Sequence, residues 1–329
     1  MATFTLVRSL SVKLRDYQLP LVKCRSIIYL DFILMRYNEG RNTMNYNYIR
    51  EYKDNEALFR SFNELTKKTF CFNFYKWEKG GFWSKRYQPY SIADGDNVIA
   101  NISVNTMKFE LDGISKQYIQ LGMVMTDPEY RGKGLSRFLM EKILAEYKET
   151  ADGIYLFGND SVIDFYPKFG FEKSKQYQYS KKVSQKNNVE KVRSVNLSNP
   201  DNWNQFYEVV KQAVSNSRFM MFNPELLAFY TMDSTIYYLE EEQTYIVAER
   251  NGQTLIINQL IANHEVELDD LIAAFGSWVN HVVLGFTPEN TRGYECKELQ
   301  IDDCTLFIMG ADLKKIEEEK LMFPVLSHA

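Results

Sequence analysis

The fifteen residues from 126 to 140, "TDPEYRGKGLSRFLM", place bare backbone and positive charge where a helix pattern begins. The four residues from Arg131 to Gly134 are Arg-Gly-Lys-Gly, and an amphipathic pattern starts at Leu135. A helix N-terminus carries unpaired N–H groups and a partial positive charge, so it binds anions, phosphates above all. Glycines let such a ligand reach the backbone. The stretch therefore predicts a pyrophosphate-binding turn, although a solvated surface turn is the simpler alternative for these four residues alone.

The segments on either side of this turn predict an α+β domain with a mixed, mostly antiparallel sheet flanked by helices. Four strand-like runs precede the turn, and Asp-Gly turns join them as hairpins. A buried strand, "GIYLF", and a short helix, "DSVIDFYPKF", follow it. Nearer the N-terminus, the pattern predicts a helix from Glu56 to about Phe70, capped by Asp54. Its apolar face contains Leu58, Phe62, Leu65 and Thr69.

Three segments of the chain differ in character. Residues 1–43 show no clear helix or strand period, so we expect a non-core extension, with Met44 as a candidate native start. The first domain is predicted over residues 44–185 and ends in the polar stretch "SQKNNVEKVRS". Residues 192–329 predict a second, smaller α+β domain, in which a hairpin, a helix and strands repeat the order of the first. This second domain has no Arg-Gly-Lys-Gly run.

Composition excludes several function classes. The 329 residues are 45% hydrophobic and 15% aromatic, which is enough for sizeable cores, and the net charge is -4 with no long basic tract. Nucleic acid is therefore not expected as a partner. Four cysteines lack metal or disulfide spacing and indicate a reduced, cytoplasmic protein without a metal site. No apolar run is long enough to span a membrane.

Two ordered motifs resemble those of the GNAT superfamily of N-acetyltransferases. "VMTDPEYRGKGLSRFLM" resembles the acetyl-CoA motif, Arg/Gln-x-x-Gly-x-Gly/Ala, with Arg131, Gly134 and Ser136 at its positions. Ser136 departs from the usual Gly or Ala but is small. "FGNDSVIDFYPKFGFEK" resembles the segment after the fifth strand, and five residues match it: Asn159, Tyr166, Lys168, Gly170 and Phe171. The resemblance covers about Tyr48 to Val183, and it implies a GNAT-type sheet with a degenerate GNAT-like second domain.

The resemblance implies a role for each matching residue. The strand before the motif would part from its neighbour, so that Val124, Met125 and Thr126 pair with the pantetheine arm of acetyl-CoA, the expected co-substrate. The N–H groups of the turn would hold the pyrophosphate, and Asn159 would contact the arm. Tyr166 would protonate the leaving thiolate after direct attack by a primary amine. The turn residues are Arg131, Gly132, Lys133, Gly134, Leu135 and Ser136.

The acceptor side is less determined by the sequence. The aromatic tract from Phe70 to Tyr90 falls where GNAT proteins build the acceptor pocket, and Phe82 and Trp83 are its candidate walls. Core packing is the simpler interpretation for Phe70, Phe72 and Phe74. The acceptor is expected to be a small-molecule or peptide amine, and the second domain is expected to cover the acceptor site or to form the contact of a homodimer.

The general base and the type of activity stay open. Glu110, Asp127 and Glu129 are candidate bases, as is a relay through water. Tandem GNAT proteins that acetylate aminoglycosides place their C-terminal carboxylate in the site, and here the apolar tail "MFPVLSHA" ends at Ala329. Two other functions are open: an acyl-CoA sensor or scaffold without turnover, and a transferase that uses another acyl donor.

Overall fold

The computed structural model describes residues 46–184 and 189–328, so the predicted extension over residues 1–43 and the carboxylate of Ala329 lie outside the described residues. Fifteen strands lie in these ranges: β1 Asn47–Arg50, β2 Tyr87–Asp94, β3 Asn97–Leu111, β4 Ile114–Thr126, β5 Gly153–Gly158, β6 Glu172–Ser174, β7 Tyr177–Lys182, β8 Val192–Asn196, β9 Phe219–Met221, β10 Thr235–Leu239, β11 Thr244–Asn251, β12 Thr254–Ile261, β13 His281–Leu284, β14 Glu295–Glu298 and β15 Thr305–Met309. The α-helices there are α1 Glu56–Phe70, α2 Tyr75–Lys79, α3 Leu135–Tyr147, α4 Pro200–Lys211, α5 Pro224–Thr231, α6 Leu268–Ala273 and α7 Lys315–Glu318.

The first sheet has the order β1-β2-β3-β4-β5-β15-β6, and β9 pairs with β3 beyond the end of β2. Its pairings are antiparallel except for β4 with β5. The predicted α+β class and mostly antiparallel sheet are therefore confirmed. Two predicted runs, "NVIANISVN" and "MKFELDG", form one continuous strand, β3, because Thr106 continues the pairing without a turn.

The second sheet has the order β14-β7-β13-β12-β11-β10-β8. It contains the predicted hairpin of β11 and β12, and its β12–β13 pairing is parallel. The two sheets exchange strands: β7 joins the second sheet, whereas β15 lies between β5 and β6 of the first. The domain bounds at 185 and 192 remain a prediction, and the hydrogen bonding of both sheets crosses them.

Local sequence explains the long first helix. The side chain of Asn55 accepts hydrogen bonds from the N–H groups of Ala57 and Leu58, so Asn55 and not the predicted Asp54 is the N-cap of α1. Cys71 ends the helix in a left-handed conformation. The predicted apolar face is buried at Leu58, Phe62 and Leu65, but Thr69 is exposed and Thr66 is buried instead. Helix α1 thereby covers the β3–β4 region on one face of the first sheet.

The C-terminal segment packs against both sheets. Leu321, Met322 and Phe323 are buried, and the ring of Phe323 stacks on Tyr155 of β5 with 4.0 Å between ring centroids. Further along, the Val325 N–H donates to the carbonyl of Gly285, which directly follows β13 of the second sheet. The apolar tail therefore packs inward, and one core cluster spans both sheets.

Candidate functional site

Strands β4 and β5 part at the centre of the first sheet. They pair in parallel from Tyr118 with Gly153 to Leu121 with Leu156, but β4 continues to Thr126 without further pairing to β5. The β3–β4 register shifts at this point, and Met123 has a positive φ of 49°. Such a bulge bends a strand away from its neighbour. The β5-facing backbone edge of Val124, Met125 and Thr126 is therefore available to a ligand's amide groups.

The Arg-Gly-Lys-Gly turn lies directly beyond this edge. Gly132 and Gly134 both have φ of 76°, a left-handed conformation that side chains disfavour, and helix α3 begins at Leu135. Within the described parts of the chain, the N–H groups of Gly132, Lys133 and Gly134 donate to no acceptor. A Cβ added at either glycine would meet no atom within 4 Å. The turn is an open cradle of free N–H donors at a helix N-terminus, as an anion site requires.

Side chains fix the cradle to the strand. The Ser136 and Thr126 hydroxyl groups are 2.8 Å apart and hydrogen-bonded, which ties the start of α3 to the end of β4. Ser136, which stands where the motif usually has Gly or Ala, thus makes a hydrogen bond that neither of those residues could make. The Lys133 Nζ lies 4.5 Å from the ring centroid of Tyr130 and donates to the Tyr46 hydroxyl at 3.2 Å. Arg131 is exposed beside the turn.

Tyr166 lies over the end of β5. The predicted short helix over this segment forms two 3-10 turns instead, and Tyr166 begins the second, which ends at Phe169. Pro167 accounts for this, because it disfavours α-helical geometry at the residue before it. A Cβ on Gly158 would lie 2.8 Å from the Tyr166 ring, so the ring requires glycine at this position. Phe307 of β15 packs on it at 5.1 Å between centroids. Desolvation raises the pKa of Tyr166 to about 12, so its hydroxyl keeps its proton at neutral pH.

Asn159 follows Gly158 directly. It is exposed, has extended backbone geometry, and its side chain caps no described helix. Asn159 and Tyr166 thus lie at the end of β5, the strand from which β4 has parted.

The three candidate bases are not equivalent. Asp127 accepts a hydrogen bond from Lys68 at 2.8 Å, which lowers the pKa of its carboxyl group and makes it a weaker base. Glu129 is exposed in the turn before the cradle. Glu110 pairs with Ser115, six residues before the split at Leu121, or about 20 Å along the strand. Glu110 is therefore on the strand next to β4 but remote from the split, because β3 and β4 are long.

Glu110 instead lines a groove with Lys108, Asp112 and Arg218. This groove has a volume of about 1240 Å³ and lies between the far end of β3 and the second half of the chain. It contains none of the residues predicted to bind acetyl-CoA. The groove and the cradle are therefore separate features.

The aromatic tract contributes more to core packing than to the wall of an open pocket. Phe82 and Trp83 are 8% and 6% exposed, and Phe82 contacts the rings of Trp203 and Tyr207 from α4. The structure thus gives both residues a packing role and adds no support to the prediction that they line the acceptor pocket. Phe74 is buried as expected, whereas Phe70 is 36% exposed.

One neighbour of the site, His328, was not predictable from the sequence. His328 stacks on Phe157 of β5 with 3.7 Å between ring centroids, and its carbonyl accepts a hydrogen bond from the Tyr230 hydroxyl. Desolvation lowers the pKa of His328 to about 4, so its imidazole is neutral at neutral pH. The apolar character of the tail was the one available signal, and it did not specify a partner.

Comparisons with known proteins find relatives of the part of the chain that carries this site. Residues 49–174 match the model of the acetyltransferase (GNAT) domain family. Over 50 residues it is 44% identical to GCN5-related N-acetyltransferase 2, chloroplastic, of Arabidopsis thaliana. That stretch is 15% of this chain and 19% of the plant protein, so the chain spans about a fifth of this relative's length.

Solved structures share the fold across both halves. A conserved protein of unknown function from Enterococcus faecalis V583, described as a probable N-acyltransferase, matches with a TM-score of 0.55 and 16% identity. The match covers 82% of this chain and 73% of that chain. A GCN5-related N-acetyltransferase from Kribbella flavida matches with a TM-score of 0.53 and 18% identity, over 83% and 73% of the two chains.

The described residues contain no group of three or more His, Cys, Asp or Glu side chains that could hold a metal ion. In the same ranges, no helix combines the length and apolar character needed to cross a bilayer.

Proposed function

We propose that this protein is an acetyl-CoA-dependent N-acetyltransferase that acts on a primary amine. The observation that carries the proposal is the open glycine cradle at the end of a strand that has parted from its neighbour. Free N–H groups from Gly132 to Ser136 would hold the pyrophosphate, with charge from Arg131. The β4 edge from Val124 to Thr126 would pair with the pantetheine arm. Acetyl-CoA would supply the acetyl group.

Proton transfer is the part assigned to Tyr166. A phenol with a pKa of about 12 stays protonated through the neutral range, so it can donate a proton from Oη to a departing thiolate. Its ring is held by Gly158 and Phe307, which fixes the hydroxyl without a competing acceptor among the described residues. A backbone N–H near Met125 would stabilise the negative charge on the carbonyl oxygen. Direct attack by the amine needs no covalent enzyme intermediate.

A calorimetric titration of acetyl-CoA tests the cofactor site. Gly134→Glu would place a carboxylate in the cradle, and we expect the dissociation constant to rise at least about 100-fold through steric block and charge repulsion. Gly113→Glu is the matched control, because Gly113 has φ of 77° and equally open surroundings in the β3–β4 turn. We expect the control to bind as wild type does.

Two results would contradict the proposal. If the wild-type protein does not bind acetyl-CoA, the donor is another molecule or the motif has lost its function. If both glutamate variants bind equally, the cradle is not the pyrophosphate site. Release of free thiol during incubation with a panel of amines then separates a transferase from a protein that only binds acyl-CoA.

A further inference from the structure

A row of polar side chains crosses the first sheet at the level where β4 and β5 are last paired. The strand registers place Tyr87 opposite Asn105, Asn105 opposite Gln120, and Gln120 opposite Tyr155. Residues in register on adjacent strands share one face of a sheet. This face is the one covered by α1 and the C-terminal tail, because Tyr118, Tyr155 and Phe323 share a core cluster. The opposite face carries α3.

Most polar groups near this row are fully paired. Asn101 accepts from the Ser91 hydroxyl at 2.7 Å and donates to the Ser103 hydroxyl at 3.0 Å and the Met123 carbonyl at 2.9 Å. The Ser103 hydroxyl continues the chain to the Tyr87 hydroxyl at 2.9 Å. The buried polar groups that join neighbouring strands here are thus paired in hydrogen bonds.

Two amide groups are exceptions. Asn105 Nδ2 and Gln120 Nε2 are buried and have no hydrogen-bond partner among the described residues. Their residues are 5% and 0% exposed. Gln120 has one weak contact at its other end, where Oε1 accepts from the Tyr155 hydroxyl at 3.4 Å. Unpaired buried donors reduce stability, so two of them on directly opposed residues call for a role outside the folded chain itself.

Their place in the sheet indicates that role. Gln120 precedes the last paired rung, Leu121 with Leu156, by one residue. Two positions further along β4 is Gly122, opposite Ser103, so the same face carries two small residues at the first position of β4 that is unpaired with β5. Across the split lies Phe157 of β5. An amine that approaches a thioester held in the split from this face would pass the two unpaired amides.

We propose that Asn105 and Gln120 bind the acceptor substrate through their amide N–H groups, and that the acceptor carries a neutral oxygen, a hydroxyl or carbonyl, close to its amine. This inference rests on the proposed N-acetyltransferase activity. The donors are uncharged, and none of the four residues in the row is cationic, so a carboxylate would be desolvated without a counter-charge. Simple alkylamines would leave both amides unpaired and are expected to be poor acceptors.

The first measurement is thermal stability of three variants. Asn105→Leu and Gln120→Met remove the unpaired donors, so we expect the melting temperature to stay the same or rise. Asn101→Leu is the matched control on the same strand and face. It removes three hydrogen bonds and should lower the melting temperature by about 5 °C. A comparable loss in Asn105→Leu would overturn the proposal, because it would show that the fold itself uses this amide.

The second measurement compares 2-aminoethanol with propylamine as acceptors, since the two probes differ by a hydroxyl in place of a methyl group and the hydroxyl lies close to the amine. We expect wild-type kcat/KM to favour the amino alcohol at least about tenfold, and Asn105→Leu or Gln120→Met to abolish that preference. The dissociation constant of acetyl-CoA, measured by calorimetry, should not change. Weaker acetyl-CoA binding would overturn the proposal by assigning the amides to the donor. If acetyl-CoA binds but neither probe is acetylated, the stability comparison alone decides; absence of acetyl-CoA binding refutes the proposed function instead.

Discussion

The two halves of this chain contain the same order of secondary-structure elements, but they differ in the junction between strand and helix and in the gap between the parted strands. In the first half, the hairpin β3–β4 is followed by α3 and by β5, which is parallel to β4. In the second, the hairpin β11–β12 is followed by α6 and by β13, which is parallel to β12. Both parallel pairings stop before the longer strand ends, at Leu121 in the first half and at Ile257 in the second.

The strand-to-helix junctions differ in charge and backbone. The first is "TDPEYRGKGL", with two left-handed glycines and two cations. The second, "IANHEVEL", has no glycine, and Glu267 is the N-cap of α6 with Asp269 and Asp270 in its first turn. Acidic side chains satisfy a helix N-terminus electrostatically and repel phosphates. The second junction is therefore unsuited to bind a pyrophosphate.

The gaps between the parted strands differ as well. In the second half, the Gly285 N–H donates to the Ile257 carbonyl at 2.7 Å, and Val325 donates to Gly285 in turn. A Cβ at Gly285 would lie 2.7 Å from a methyl group of Val325. The C-terminal tail thus packs into the second gap. The repeated element order therefore serves packing in both halves, whereas binding chemistry depends on the junction and on an unfilled gap.

The largest expected effect is a loss of kcat when a buried tyrosine of the first half is replaced, with no such loss at a buried tyrosine of the second sheet. Tyr166→Phe removes the proposed proton donor, and we expect kcat to fall by about 10² to 10⁴-fold with little change in stability. Because the pKa of Tyr166 is about 12, its ionisation should cause no loss of rate between pH 7 and 10. Tyr179→Phe in the second sheet removes a hydrogen bond to the Lys320 carbonyl and should leave kcat unchanged. Equal kcat for wild type and Tyr166→Phe would place the proton donor elsewhere.

The tail that fills the second gap should also stabilise the first half. Phe323→Ala removes a fully buried ring that stacks on Tyr155, and we expect the free energy of unfolding to fall by about 3 to 5 kcal/mol. Urea denaturation measures this change. Phe70→Ala makes the same substitution at a ring that is 36% exposed, and its effect should stay within about 0.5 kcal/mol. Similar losses in both variants would argue against a tail that joins the halves.

His328 gives this tail a pH dependence. Its folded-state pKa of about 4 is below the ordinary value near 6.5. Between these two pH values the unfolded chain therefore binds a proton that the folded chain does not bind. The resulting stability is present above pH 6.5 and is lost as pH falls to about 4, by on the order of 2 kcal/mol. His328→Phe should flatten this part of the profile in denaturation experiments. A variant that loses stability as steeply as wild type between pH 6.5 and 4 would exclude His328 as the cause.

The smallest effect concerns the hydroxyl pair at the first junction, which the second junction lacks. Ser136→Ala should lower the free energy of unfolding by about 1 kcal/mol, since one neutral hydrogen bond at 2.8 Å is lost. A double-mutant cycle with Thr126→Val isolates the pair. Additive losses from the two substitutions would show that the hydroxyl groups do not stabilise each other.

Local signals made much of the site predictable. The glycine turn, the start of α3 and the Tyr166 segment depend on residues close together in sequence, where capping and turn geometry act. The exchange of β7 and β15 was not predictable, because apolar runs such as "TLFIMG" suit any buried strand position. The packing of Phe82 was not predictable for a related reason: its neighbours Trp203 and Tyr207 lie some 120 residues away. The unpaired amides became visible only when strand register put Asn105 beside Gln120.

The position of β15 has a consequence for biosynthesis. This strand lies between β5 and β6, and its Phe307 supports the ring of Tyr166, so the first sheet lacks an interior strand until residue 309 has left the ribosome. A nascent chain that ends near residue 185 would contain every proposed acetyl-CoA contact and still expose the edges of β5 and β6. Most of the polypeptide must therefore emerge before the site can form. Premature termination almost anywhere in the second half would leave an aggregation-prone product and no partial enzyme.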